Sequence, residues 1–199
     1  MKKIASTIVR VPDIALNNNL FGGTLLRWLD EYGALYVYEN LNHTFITSWI
    51  GETYFTKTAQ VGDLIKFYRK DLEFHRAYVQ FRLIGIVHGD QPREIINTAM
   101  KFVPIDKKTG RVIRMNPFLF EREEFELFAK QKIDADVSQF EVPGKYGDVT
   151  TYKQRFIASM YTSVYGDTSE AIAAFQADYG RIAPAGIVTS IINRMTDNI

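Results

Sequence analysis

The feature that most constrains the fold of this chain is the order of its patterns. One long apolar helix pattern comes first, and only strand patterns follow it as far as residue 106. Apolar side chains recur at helical spacing through residues 21–41, FGGTLLRWLDEYGALYVYENL, without a proline. Because the segment is apolar on nearly all sides, we expect a buried helix. Four segments rich in strand-forming residues follow it, at 43–56, 61–74, 76–89 and 93–106. One buried helix before consecutive antiparallel strands predicts an α+β fold.

The charge balance and the predicted type of secondary structure both change near residue 120, which divides the chain into two parts. Residues 1–120 hold 16 Lys and Arg against 11 Asp and Glu, whereas residues 121–199 hold 8 against 12. The second part changes to helical patterns, at 120–132, 151–165, 169–180 and 183–195, with the turn sequence PGKYGD at 143–148. We therefore predict a first domain at 1–120, which holds the strands, and an acidic helical C-terminal extension at 121–199.

Composition excludes several classes of protein. The chain has no cysteine, which excludes thiolate nucleophiles, iron–sulfur clusters and disulfides. His43, His75 and His88 lack the spacing of metal ligands, so we expect no metal. A net charge of +1 argues against a dedicated nucleic-acid-binding protein. No run approaches the ~20 apolar residues of a membrane helix, and residues 1–16 lack a signal-peptide pattern, so we expect a cytoplasmic protein that binds no membrane.

Two glycines, Gly22 and Gly23, stand where the helix is predicted to begin. Without side chains there, a ligand oxygen can approach the first backbone N–H groups of the helix, which are unpaired and carry the positive end of the helix dipole. A polarised carbonyl group or an oxyanion needs such donors. The alternative is that the glycines let the helix start pack tightly against a strand.

Two carboxylates, Asp30 and Glu31, lie in the middle of the apolar helix. A buried carboxylate is costly unless it is paired or hydrated, and Asp30 lies close to the apolar face, where it suits a general base. The alternative is a capped or ion-paired structural acid. Asp30 follows Gly22 by eight residues, about 12 Å along the helix axis. One helix cannot bring both to one carbonyl group, whereas two antiparallel copies around a two-fold axis can.

This segment resembles the hotdog-fold acyl-CoA thioesterases, in the broad-specificity acyl-CoA hydrolase group. That family has a loop with an asparagine, then an aromatic residue and two glycines, then an apolar helix with an acid nine residues after the aromatic. The matching residues here are Phe21, Gly22, Gly23 and Asp30. The helix therefore carries the first of the family's sequence blocks.

Two further blocks extend the resemblance over about residues 7–115. The family has a Thr at the start of its second strand, a Phe eight residues on and then Val-Gly-Asp, which Thr47, Phe55 and residues 61–63 match without a gap. Its third block is Gly-Arg-Ser/Thr-Ser, and here only Arg76 remains. The first two blocks together are fairly specific.

The resemblance implies a curved antiparallel sheet wrapped around the long helix, in dimers or larger homo-oligomers with sites at the subunit interface. It implies hydrolysis of an acyl-CoA thioester, with CoA as part of the substrate and no separate cofactor. The N–H groups of Gly22 and Gly23 would hold the carbonyl oxygen, and Asp30 would activate water or attack directly. Further site residues are an asparagine of the loop, Asn17 or Asn18, and the substrate-binding residues Thr47, Lys57 and Arg76, the last two near the CoA phosphates.

Departures from the family leave alternatives open. Ala15 stands where the family has its loop asparagine, and Asn18 stands where it has a loop glycine. A non-catalytic acyl-CoA-binding or scaffolding protein with the same fold is therefore the first alternative. A hotdog hydratase or dehydratase is the second, but it needs a histidine near the helix start, whereas His43 follows the helix.

Overall fold

The computed structural model describes residues 1–75, 77–132, 149–180 and 183–197. The chain divides into two compact units, Met1–Met115 and Asn116–Ile199. The predicted turn at 143–148 lies outside the described residues. Among the helices within them, none is long and apolar enough to cross a membrane.

The first unit is an antiparallel sheet with one long helix. Its elements are β1 (Lys2–Ile8), α1 (Gly22–Leu41), β2 (Phe45–Ile50), β3 (Tyr54–Phe55), β4 (Leu64–Phe74), β5 (Val79–His88) and β6 (Arg93–Pro104). The strands lie in the order β1-β4-β5-β6-β2, and the short β3 pairs with β6 beyond the end of β2. The predicted helix and the predicted strands after it are confirmed, and Gly51 lies in the break between β2 and β3.

Helix α1 buries one side against the sheet. Trp28 packs edge-on against Phe67 of β4, and Tyr36 packs in the same way against Phe81 of β5, with ring centroids 6.4 Å and 5.4 Å apart. Gly33 allows the closest approach, because a Cβ atom there would lie 2.6 Å from the ring of Phe102 on β6. Alternate residues of β4, β5 and β6 supply this buried face, as the period of a strand requires.

The second unit is helical, with α2 (Arg122–Lys132), α3 (Val149–Tyr165), α4 (Thr168–Tyr179) and α5 (Ala185–Thr196). These helices confirm the four helical patterns. The backbone N–H of Glu170 donates to the Asp167 carboxylate, which caps the start of α4. Lys153 of α3 is buried and donates to the carbonyl oxygens of Phe118 and Phe120, so α3 is tied to the segment that precedes α2.

Candidate active site

Helix α1 begins with unpaired backbone donors. Phe21 precedes the helix in an extended conformation, and its carbonyl oxygen accepts the first helical hydrogen bond, from the N–H of Leu25 at 3.1 Å. Gly22, Gly23 and Thr24 are therefore the first helical residues. Their N–H groups donate to no acceptor in the described part of the chain. They form a set of parallel donors at the positive end of the helix dipole.

An aromatic ring lies beside each of the two glycines, and only at Gly23 does it occupy the space that a side chain would need. A Cβ atom on Gly23 would lie 2.5 Å from the ring of Phe21, and one on Gly22 would lie 3.4 Å from the ring of Phe55. Phe55 belongs to β3, so the helix start does pack against a strand. Tight packing, the alternative role of the glycines, is therefore present together with the unpaired donors.

The structure distinguishes the two carboxylates of α1. Asp30 is half-buried, and its Oδ1 accepts a hydrogen bond from the Thr47 hydroxyl of β2. Glu31 is exposed and forms an ion pair with Arg27, 3.7 Å away on the next turn of the helix. Glu31 therefore behaves as a solvated surface acid, whereas Asp30 is held in one orientation by a partner in the sheet.

The Thr47 side chain reaches Asp30 because of the register of β2. Thr47 pairs with Phe102 of β6, whose side chain is fully buried against α1. Paired residues in neighbouring strands point to the same face of a sheet, so Thr47 points toward the helix as well. The sequence placed Thr47 among substrate-binding residues, and the structure adds that its hydroxyl orients Asp30.

The donors and the carboxylate remain apart within one copy of the chain. Helix α1 is continuous from Gly22 to Leu41, so Asp30 lies about 12 Å further along its axis than Gly22. A carbonyl group held at the helix start is therefore out of reach of the Asp30 carboxylate of the same copy.

The loop before α1 is a closed turn held by its own hydrogen bonds. The N–H of Ala15 donates to the carbonyl oxygen of Asn19 at 2.8 Å, and the N–H of Asn18 donates to that of Ala15 at 3.0 Å. The Asn17 side-chain oxygen accepts from the N–H of Asn19 at 3.2 Å. Asn18 has φ 60°, the left-handed conformation that asparagine and glycine tolerate best. In the described residues, neither Asn17 nor Asn18 hydrogen-bonds to Asp30.

A buried aspartate that the sequence did not single out links the chain before the loop to the start of the helix. Asp13 is 3% exposed, and its Oδ2 accepts from the N–H of Arg10 at 2.9 Å and from the Arg10 side chain at 3.3 Å. The carbonyl oxygen of Asp13 accepts from the N–H of Phe21 at 2.9 Å. The available signal was Pro12-Asp13 after β1, because proline and aspartate are typical of the first turn of a short helix.

The Val-Gly-Asp segment at 61–63 supports the loop from the other side. Asp63 accepts hydrogen bonds from the N–H of Gln60 and from the guanidinium group of Arg93 on β6. The turn so fixed presents the carbonyl oxygen of Ala59, which accepts from the N–H of Leu20 at 2.7 Å. Two segments that are distant in sequence therefore meet beside the start of α1.

Comparison with known proteins rests on structure alone, because no family model and no curated protein matches this chain. One similar structure is a hexameric thioesterase from Yersinia pestis, 20% identical, with a TM-score of 0.55 over 58% of this chain and 95% of the other. A hexameric hotdog-fold thioesterase from Campylobacter jejuni is 16% identical, with a TM-score of 0.54 over 64% and 95%. This chain has the hotdog fold.

A third similar structure is an acyl-CoA hydrolase from Staphylococcus aureus in complex with butyryl-CoA, CoA and CoA disulfide. It is 16% identical, with a TM-score of 0.51 over 62% of this chain and 77% of the other. The fold predicted from the resemblance is confirmed. At these identities the similarity concerns the fold alone.

Two predicted substrate-binding residues remain, Lys57 and Arg76. Lys57 follows β3 and is exposed, and among the described residues it has no ion-pair or hydrogen-bond partner. Arg76 lies outside the described residues, so its contact with CoA stays a prediction. The described part of the hotdog chain contains no group of three or more acidic, histidine or cysteine residues that could hold a metal ion.

His43 is buried at the opposite end of α1 from the glycines. Its Nδ1 lies 2.6 Å from the carbonyl oxygen of Leu41. Burial lowers the pKa of this imidazole, although the hydrogen bond to Leu41 acts in the other direction. His43 lies twenty-one residues beyond Gly22, so it does not supply the histidine that a hydratase or dehydratase of this fold would need at the helix start.

The buried imidazole predicts a pH dependence of stability. The unfolded chain has the ordinary histidine pKa of about 6.5, and the folded chain has a lower one. Below about pH 6.5 the unfolded state therefore binds more protons, and the free energy of unfolding falls as the pH decreases toward the folded pKa. Urea unfolding at pH 7.5 and at pH 5.0 measures this decrease in the free energy of unfolding.

We expect His43→Gln to lose less stability than the wild type between those two pH values, because glutamine carries no charge at either. His88→Gln is the control, since His88 is exposed at the end of β5 and its substitution should leave the loss unchanged. If the wild type and His43→Gln lose the same free energy of unfolding between the two pH values, His43 does not contribute to the pH dependence of stability.

Proposed function

We propose that this chain hydrolyses an acyl-CoA thioester to a free acid and CoA, at a site shared by two copies of the chain. The observation that supports this most strongly is the half-buried Asp30 carboxylate, oriented by Thr47, on a helix that begins with unpaired N–H groups. The similar structures are thioesterases, which agrees with the proposal. Release of free thiol from acyl-CoA by the purified protein is the direct test.

The two halves of the site have complementary chemical roles. The N–H groups of Gly22 and Gly23 hold the carbonyl oxygen of the thioester and stabilise the negative charge that develops on it. Asp30 of the second copy accepts a proton from water as the water oxygen bonds to the carbonyl carbon. The carbon–sulfur bond then breaks, and the CoA thiolate leaves and takes up the proton. Direct attack by Asp30, followed by hydrolysis of the anhydride, is the other route.

Edge strand β2 provides the surface on which the two copies meet. It is the last strand of the sheet and pairs with β6 on one side, and no other described strand pairs with its free edge. Its exposed side chains include Ile46, Trp49 and Ile50, each more than 40% exposed. An exposed apolar edge strand is a ready site for pairing with another chain. Pairing of β2 with its counterpart would place α1 of both copies on one extended sheet.

We therefore expect a dimer or a larger homo-oligomer, with a mass at least twice that of the chain by light scattering at micromolar concentration. Ile46→Lys places a charge on the free edge of β2 and should shift the mass toward the monomer and lower thioesterase activity with it. Val112→Lys is the control, because Val112 is also exposed but lies after β6. A monomeric wild-type protein that is fully active would remove the shared-site argument.

The nucleotide end of CoA carries phosphate groups. Lys57 and Arg76 are assigned to its phosphates, because cations of this kind pair with phosphate oxygens. Such contacts lie away from the reacting carbon. Loss of either side chain should therefore raise KM for acyl-CoA more than it lowers kcat, and it should matter little for a pantetheine thioester without the nucleotide.

One observation favours a second candidate, a non-catalytic acyl-CoA-binding protein. Ala15 supplies no amide beside the helix start, and the side-chain oxygen of Asn17 is used within the loop. If water cannot be oriented there, the protein would bind the thioester without cleaving it. Binding of acyl-CoA without release of thiol would identify this candidate.

A further inference from the structure

An open apolar groove of about 580 Å³ adjoins the unpaired donors of α1. We call it the loop groove. Apart from Asn17 and Thr24 it is lined by apolar side chains, those of Pro12, Ile14, Ala15, Leu16 and Phe21. Thr24 and Phe21 also flank the helix start. The groove and the donor site are therefore parts of one continuous surface.

The loop groove has a fixed shape. The loop that forms it is closed by the hydrogen bond between Ala15 and Asn19. It is tied to Ala59 through Leu20 and to Asp13 through Phe21. Because the backbone is held on both sides, the apolar side chains stay at the surface. A ligand that binds there need not order a flexible segment first.

The groove leaves apolar surface in contact with water. Leu16 is fully exposed, and Phe21 is 56% exposed. Two large apolar side chains this exposed in a tightly hydrogen-bonded loop form a surface that an apolar ligand can cover. Asn17 is the main polar side chain of the lining, and its oxygen already accepts a hydrogen bond from Asn19.

We propose that the loop groove binds the hydrocarbon chain of the acyl group. The inference rests on the proposed function, which places the thioester carbonyl oxygen at the N–H groups of Gly22 and Gly23. The acyl carbons begin one bond of about 1.5 Å from that carbonyl carbon, so they must lie on the surface beside the helix start. A hydroxyl or carboxylate on the chain would lose water there and find few partners.

Two thioethers of CoA test the groove without any need for catalysis. S-octyl-CoA and S-ethyl-CoA cannot be hydrolysed and differ by six methylenes. Complete burial of a methylene gives about a fourfold gain in affinity. In an open groove, where burial is incomplete, we expect each methylene to raise the affinity about twofold. Wild-type protein should therefore bind S-octyl-CoA about 50-fold more tightly than S-ethyl-CoA in calorimetric titrations.

Leu16→Ser should reduce this affinity ratio to below about tenfold, because it removes the most exposed apolar side chain of the groove. Val112→Ser is the matched control, since Val112 is also exposed on the first unit but lies outside the groove, and it should keep the wild-type ratio. Leu16 is fully exposed, so its substitution removes no buried contact and the variant should fold normally.

Each outcome decides the proposal. A wild-type ratio near one, or a ratio that Leu16→Ser leaves unchanged, overturns it, as does failure of both thioethers to bind. A fall in oligomer mass with Leu16→Ser would show that a second copy covers the groove and would overturn it too. Preference for S-octyl-CoA without any thioester hydrolysis would support the groove while the proposed catalytic function fails.

Discussion

Asp30→Asn should lower kcat/KM for acyl-CoA hydrolysis by about 10²–10⁴, the usual effect of losing a general base. The substitution keeps the size of the side chain and its ability to accept a hydrogen bond from Thr47, but it removes the charge and the basic oxygen. The fold and the oligomer mass should therefore stay as in the wild type. Initial rates of thiol release, with light scattering on the same samples, measure both.

Glu31→Gln is the matched control for Asp30→Asn. It changes the neighbouring carboxylate of the same helix in the same way, but Glu31 is exposed and paired only with Arg27. Exposed pairs of this kind contribute little, so activity should stay within about twofold of the wild type. Full activity in Asp30→Asn would make Asp30 a structural acid and contradict the mechanism.

Gly22→Pro should lower kcat by about 10²–10³, because it deletes one N–H donor for the carbonyl oxygen. Proline is well tolerated at the first helical position, and Phe21 before it already has the extended conformation that proline requires, with φ −70° and ψ 128°. The fold should therefore survive. Single-turnover rates of thiol release separate the chemical step from product release.

Gly22→Ala controls for the added bulk at this position. A Cβ atom there lies 3.4 Å from the ring of Phe55, which is close but ordinary contact, and alanine keeps the N–H group. We expect its rate to remain within about tenfold of the wild type and well above that of Gly22→Pro. Equal rates in Gly22→Pro and Gly22→Ala would show that this donor does not hold the carbonyl oxygen.

Local patterns carried most of the information about the fold. Helix α1 was predictable because its apolar spacing is long and uninterrupted, and β4–β6 were predictable from their alternation. The order of strands was less accessible. β1 pairs with β4, more than fifty residues away, and no local pattern states which distant strands pair. The resemblance to a known fold implied a curved antiparallel sheet around the helix, but it did not give the order of the strands.

The site was predictable at the level of its residue types but not of its contacts. Asp30 and Glu31 are adjacent, and the phase of the apolar pattern alone did not decide which of them is held in place. The hydrogen bond from Thr47 decides it, and that contact depends on the register of β2 against β6. The loop was harder still, because three consecutive asparagines allow several hydrogen-bonded turns.

Release of free CoA thiol from octanoyl-CoA tests the central claim most directly. The purified full-length protein should release thiol continuously, far faster than buffer alone, and Asp30→Asn should lose that release while it still binds S-octyl-CoA. If the wild-type protein binds S-octyl-CoA but releases thiol no faster than buffer, the chain is an acyl-CoA-binding protein with the hotdog fold, and the proposed hydrolysis is wrong.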